Sequence, residues 1–188
     1  MVRGWHDWFG TITGVVLITI VVLPLAALVV WVLARRRIAG GETPAWAWRR
    51  SLAEVGIVYG TVPWVWMILL PGAEARVSLV PLRDLFTVLA AGPLTVVGQV
   101  GGNLLVFAAL GFFAPMRFAA LASVPRILAL AAGCSAFVEA AQYVLRLDRV
   151  SSIDDVLINA AGAALAALAS RRWWREPDIR WSRPAERC

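Results

Sequence analysis

The sequence predicts an all-α, polytopic membrane helix bundle of about five transmembrane helices, and three observations carry that prediction. The 188-residue chain is 60% hydrophobic with a mean hydropathy of +0.73, whereas soluble domains carry about 45–50% apolar residues. Its apolar residues gather into five runs, at residues 11 to 34, 51 to 70, 96 to 115, 126 to 145 and 155 to 170. Each approaches the roughly 20 helical residues needed to cross a hydrocarbon core about 30 Å thick. Between the runs lie Gly, Pro and charged residues.

The first run exceeds the apolar core of about 7 to 15 residues usual in a signal peptide, and its positive cluster follows it rather than precedes it. It reads as a retained anchor. A short loop, RRRIAGGETPAWAWRR, comes next, with Gly40, Gly41 and Pro44 as breakers and Trp46 and Trp48 at a headgroup boundary. Pro24 and Pro63 interrupt the first and second runs as kinks. Residues 71 to 95 open with Pro71-Gly72, and their apolar part ends at Pro93, too short to span; this segment lies on the surface or re-enters under protein cover. Trp5, Trp8, Trp64, Trp66, Trp173 and Trp174 read as interface belts. The chain divides into an N-terminal helix pair (1–70), a core of loop plus three spans (71–170) and a tail (171–188), read as an interfacial anchor with a disordered end.

The formal charge of +6 raises nucleic acid as a partner, and the placement of the charges excludes it. All 18 basic residues are Arg. Thirteen of them, from Arg35, Arg36 and Arg37 to those after the fifth run, fall on one side of the predicted bundle; only Arg3, Arg76, Arg83, Arg146 and Arg149 fall on the other. The positive-inside rule then places the N-terminus outside and the C-terminus in the cytoplasm. Cys134 lies within the fourth run and Cys188 ends the tail; they should not pair, and neither has metal-ligand spacing.

Polar residues inside the spans carry the functional signal: Asn103 in the third, Glu139 and Gln142 in the fourth, and Asp154, Asp155 and Asn159 in the fifth. At about 1.5 Å per residue, Glu139 and Asn103 each sit roughly 10 Å below the exterior boundary, with Asn159 a turn below Asp155. An ionised acid at mid-membrane costs about 2.5–3.5 kcal/mol, so Glu139 needs a partner; Asn103, Gln142, Asn159, Arg83, Arg146 and Arg149 are the candidates. Helical spacing puts Glu139 with Gln142, and Asp155 with Asn159 and Gly162, on single faces, while Gly98, Gly102 and Gly162 permit close helix approach. These features predict a polar chamber between the third, fourth and fifth spans. Asp154 is expected to cap the fifth helix, and Glu54 to pair with Arg50 at the inner interface.

The order of these residues resembles the VanZ-like family of bacterial membrane proteins over about residues 76 to 170. That family's central pattern is an Asn, then xxxFxPxG and a later Pro; GNLLVFAALGFFAP supplies Asn103, Phe107, Gly111 and Pro115. A small residue followed by Glu and Gln three apart is met by Ser135, Glu139 and Gln142, and an Arg, an Asp pair, Asn and Gly by Arg149, Asp154, Asp155, Asn159 and Gly162. Upstream, SLVPLR resembles the family loop through Pro81, with Arg83 following. The chain departs at Ala109, Ser78 and Leu82, where the family has Pro, Asn and Phe.

The family's namesake is associated with low-level teicoplanin resistance, so the resemblance implies a cell-envelope role. The expected function is binding or modulation of an anionic lipid or lipid-linked wall precursor in an exterior-side chamber. Arg83 and Arg149 would serve the phosphate, with Asn103, Gln142, Asp154, Asp155 and Asn159 completing the site. The alternative is an intramembrane enzyme acting on a lipid headgroup, with Glu139 as general base. Its Asp pair would favour a hard cation such as Mg²⁺, but too few ligands are evident to assign a metal or other cofactor. Five spans without an inverted repeat weigh against a transporter.

Overall fold

The computed structural model describes residues 12–72, 76–78 and 80–174. His6, Trp5, Trp8, Cys188 and the tail beyond Trp174 lie outside the described residues. Within them, five helices are long and apolar enough to cross a membrane, in register with the five predicted runs. Backbone polar groups in a bilayer must be satisfied internally, and a helix does this for every residue of a run.

Helix α1 (Ile12–Ala39) ends in a turn at Gly41, whose φ of 92° suits glycine. Helix α2 (Pro44–Ile68) starts with proline in its first turn, where no amide is needed, and forms a hairpin with α1. A three-residue strand β1 (Arg76–Ser78) and the eight-residue helix α3 (Arg83–Ala90) fill the following connection. The third span, α4 (Pro93–Arg117), is interrupted by a π turn at Val97–Gly101 and a break at Phe107. Helix α5 (Val124–Val144) leads to strand β2 (Val150–Ser152), which pairs in parallel with β1, Arg76 opposite Val150 and Ser78 opposite Ser152. Helix α6 (Ile153–Ser170) closes the bundle. Helix α3 buries none of its residues.

Helix α6 occupies the centre, packed on α4 and α5, and its buried positions are nearly all small: Ala160, Gly162, Ala163, Ala164, Ala167 and Ser170. Small residues let helix axes approach where lipid supplies no hydrophobic drive for association. The approach is closest where two glycines face the partner's backbone. A Cβ on Gly162 would strike the Leu104 carbonyl of α4, and one on Gly111 would strike the Ala163 carbonyl of α6. Gly98 and Gly102, expected to serve the same purpose, have open space beside them instead, and both line a cavity. Large apolar side chains point outward, among them Leu25, Phe137 and Leu165, as lipid contact requires.

The two ends of the bundle differ in chemistry. At one end Arg35, Arg49, Arg117 and Arg172 each lie over an aromatic ring, of Trp31, Trp46, Phe118 and Trp173, within or just beyond four different helices. Glu54 is held there by two arginines: Arg37 at 2.6 Å and Arg117. This corrects the expected pairing with Arg50, which binds Glu42 at 2.8 Å. The reason is chain direction: the α1 and α4 ends both converge on the first turns of α2, whereas Arg50 faces back along the loop. The opposite end carries α3, β1 and β2 and is called the loop end below.

Candidate functional site

The loop end encloses a cavity of about 750 Å³. Its walls come from the end of α2 (Trp64, Met67, Ile68), from α3 (Asp84, Leu85, Thr87, Val88), from the first half of α4 (Gly98, Gln99, Gly102, Asn103), and from residues 148–155. Trp64 thus lines the cavity and packs against the core, rather than standing in a lipid-facing belt.

Ser152, in extended conformation, starts α6: its hydroxyl accepts the Asp154 amide at 3.2 Å and donates to Asp84 Oδ2 at 2.9 Å. Asp154 is therefore not the cap of its own helix. It is 2% exposed, and its carboxylate caps α3 from across the bundle, accepting the Leu82 amide at 2.5 Å and the Leu85 amide at 3.0 Å. This bond supports an unusual backbone, since Leu82 has φ 66°, a region that costs a non-glycine residue roughly 1–2 kcal/mol. Asp155 points the other way and accepts a hydrogen bond from Asn103 Nδ2, joining α6 to α4 at the cavity wall. Arg149 donates to the Leu70 carbonyl at 3.0 Å and lies within electrostatic reach of both Asp155 and Glu139.

Four of the predicted site residues thus come together: Asn103, Arg149, Asp154 and Asp155 all line the cavity. The other four do not. Glu139 stands behind the wall, where the Ser151 side chain and the Ser152 backbone approach its carboxylate, and its Oε2 is buried with no hydrogen-bond partner among the described residues. Gln142 turns towards α2 and donates to the Ile68 carbonyl at 2.7 Å. Asn159 donates to Ser135 Oγ at 2.8 Å within the α5–α6 contact. Arg83 is exposed at the start of α3 and does not reach the cavity. The chamber expected between the third, fourth and fifth spans is therefore bounded by α2, α3, α4 and α6 instead, because the polar face of α5 is consumed by its packing on α6 and α2. Asp84, Ser152 and Gln99 belong to the wall and escaped the sequence reading. An acid in the first turn of a short helix was the available signal for Asp84; the other two carry none.

The sequence model of the VanZ/LLP1 family matches residues 56–174, more than half of the chain. The chain belongs to the VanZ/LLP1 family. It is a multi-pass membrane protein, with five helices long enough to span. No curated protein and no solved structure matches it.

The VanZ-like positions named from the sequence divide into two physical groups. Gly111 and Gly162 are the two points of backbone contact between α4 and α6, and Phe107 and Pro115 are buried beside them. Asn103 with Asp155, and Ser135 with Asn159, tie α4 to α6 and α6 to α5 by hydrogen bonds. Ala109, where the family pattern has Pro, packs against Gly60 of α2 so closely that a Cβ there would overlap its own.

Proposed function

We propose that this VanZ-like protein holds the polar headgroup of an anionic lipid or lipid-linked wall precursor in the loop-end cavity, on the exterior side of the bacterial cytoplasmic membrane. One observation carries the reading: Arg149 is the single cation among the described residues lining a cavity whose acidic walls are Asp84, Asp148, Asp154 and Asp155, beside the amides of Gln99 and Asn103. A guanidinium suits a phosphate, and carboxylates and amides opposite it suit hydroxyl or amine donors. The favoured headgroup therefore carries a phosphate together with hydrogen-bond donors, as a phosphate-linked sugar does. The orientation rests on the arginine-rich end facing the cytoplasm. Holding a wall precursor at the outer face would also change how much of it is presented there, which links the reading to glycopeptide susceptibility.

Identification of the lipids that co-purify with the protein tests the proposal. A headgroup class retained by the wild type and lost from Arg149→Ala supports it; an identical lipid profile in both proteins sinks it. The enzymatic reading has less support. Glu139 does not line the cavity, and Asp154 and Asp155 diverge, the first onto α3 amides and the second onto Asn103. The described residues contain no group of three His, Cys, Asp or Glu side chains able to hold a metal ion.

A further inference from the structure

The cavity shares a wall with a second, smaller space of about 270 Å³ on the flank of the bundle, and the two differ sharply in character. The smaller space is an apolar groove between α3, α4 and α6, formed by Leu82, Leu85, Leu104, Leu157 and Ala161. Its one polar neighbour, Asp154, has both carboxylate oxygens turned onto α3 amides and presents no free charge to it. Leu85, Val100, Asp154 and Ile158 belong to both spaces, so the groove begins where the larger cavity, which holds the charged side chains, ends. Along that boundary α4 carries its π turn, and Gly98, Gly101 and Gly102 leave their flank open. Such turns are frequent at functional sites.

We infer that the groove seats one hydrocarbon chain of the bound lipid, with the headgroup in the cavity and the chain leaving sideways between α4 and α6 into the bilayer. The inference rests on the headgroup reading above and adds the class of ligand: a chain-bearing amphiphile that enters from the membrane plane. A water-soluble phosphate compound would occupy only half of the site. Helix α3 sets the width of both halves, because Leu85 is at once the cavity wall and the groove wall and its amide is fixed by Asp154. The polar and apolar halves are therefore held at one spacing by one carboxylate.

The test uses the full chain in phosphatidylcholine nanodiscs with two probes, a long-chain polyprenyl phosphate carrying a photoreactive diazirine on its chain and a short-chain methyl phosphate, which has no chain to seat in the groove. Labelling of the wild type is expected at Val100, Leu104, Leu157 and Ala161. Ala161→Trp, which fills the groove, should weaken long-chain binding at least about tenfold while short-chain binding holds; the milder Ala161→Leu should fall between. Leu94→Trp, on the lipid-facing surface outside the groove, serves as the control and should change neither. Labels spread evenly over lipid-facing positions such as Leu94, or long-chain binding unchanged in both Ala161 variants, would overturn the inference. Failure of the headgroup reading looks different: short-chain phosphate would not bind, or would bind equally well to Arg149→Ala, while groove labelling by the long chain persisted.

Discussion

A single carboxylate, Asp154, shows how much one side chain decides at this site. It accepts two backbone amides at the start of α3, and the left-handed Leu82 stays in place because its amide is held. Asp154→Ala should remove about 1–2 kcal/mol locally, seen as faster hydrogen exchange at Leu82 and Leu85 with a much smaller change in overall melting; Asp154→Asn, which keeps one acceptor, should lose less. The glycines allow an equally sharp contrast. Gly162→Ala and Gly111→Ala push a methyl into the facing helix backbone and should destabilise the protein by about 3 kcal/mol, read as a large drop in melting temperature in detergent. Gly98→Ala and Gly102→Ala meet open space and should melt within a few degrees of the wild type. At this scale the sequence was informative about Gly162 and Asn103. It was silent on direction, because helical spacing gives a face and not the neighbour that face meets. Asp154 and Asp155 are adjacent, so they project about 100° apart and find different helices. The same limit sent Gly98 and Gly102 to the wrong contact.

Among the elements, the two polar clusters at opposite ends of the bundle work in different ways. Glu54 ties α1 to α4 through α2, with Arg37 also donating to the buried hydroxyl of Ser51 at 2.6 Å. Removing its charge leaves two arginines facing one another in a half-buried site, so Glu54→Gln should cost about 2 kcal/mol, whereas Arg50→Gln, which disturbs only the pair with Glu42, should cost under about 1 kcal/mol. Thermal unfolding of the two variants side by side checks the ranking. The span elements were legible because a long apolar run has one stable form in a bilayer. Helix α3 and the β1–β2 pair were not, since each depends on a partner remote in sequence. Three residues of strand carry no periodicity, and the register of Ser78 with Ser152 is set by where α6 begins.

For the whole molecule, the asymmetry between an arginine-rich end and a loop end predicts an orientation. In a variant lacking Cys134 and Cys188, a cysteine at Ala90 on α3 should react with an impermeant thiol reagent in intact cells, and one at Ala122, in the turn between α4 and α5, only after the membrane is opened. The reverse pattern would move the cavity to the cytoplasmic side and refute the proposed access to exterior precursors. Composition and arginine placement made the bundle and its asymmetry readable from sequence. The site was readable only in part, because Glu139, Gln142 and Asn159 share a depth with the cavity without opening onto it. Depth in a membrane is a one-dimensional quantity, and a cavity has three.

The bonds from Asp154 to α3 span 72 and 69 residues of chain, and this separation bears on how the protein is made. Residues 76 to 90 leave the ribosome long before residue 150, so α3 has neither its cap nor its strand partner until the last span has been inserted. The roof of the cavity is then the final part to form, and the cavity is complete only in a chain whose helix α6 has arrived. Synthesis halted after α5 should yield a membrane-inserted intermediate whose residues 76 to 90 are cut readily by protease, and completion of α6 should protect them.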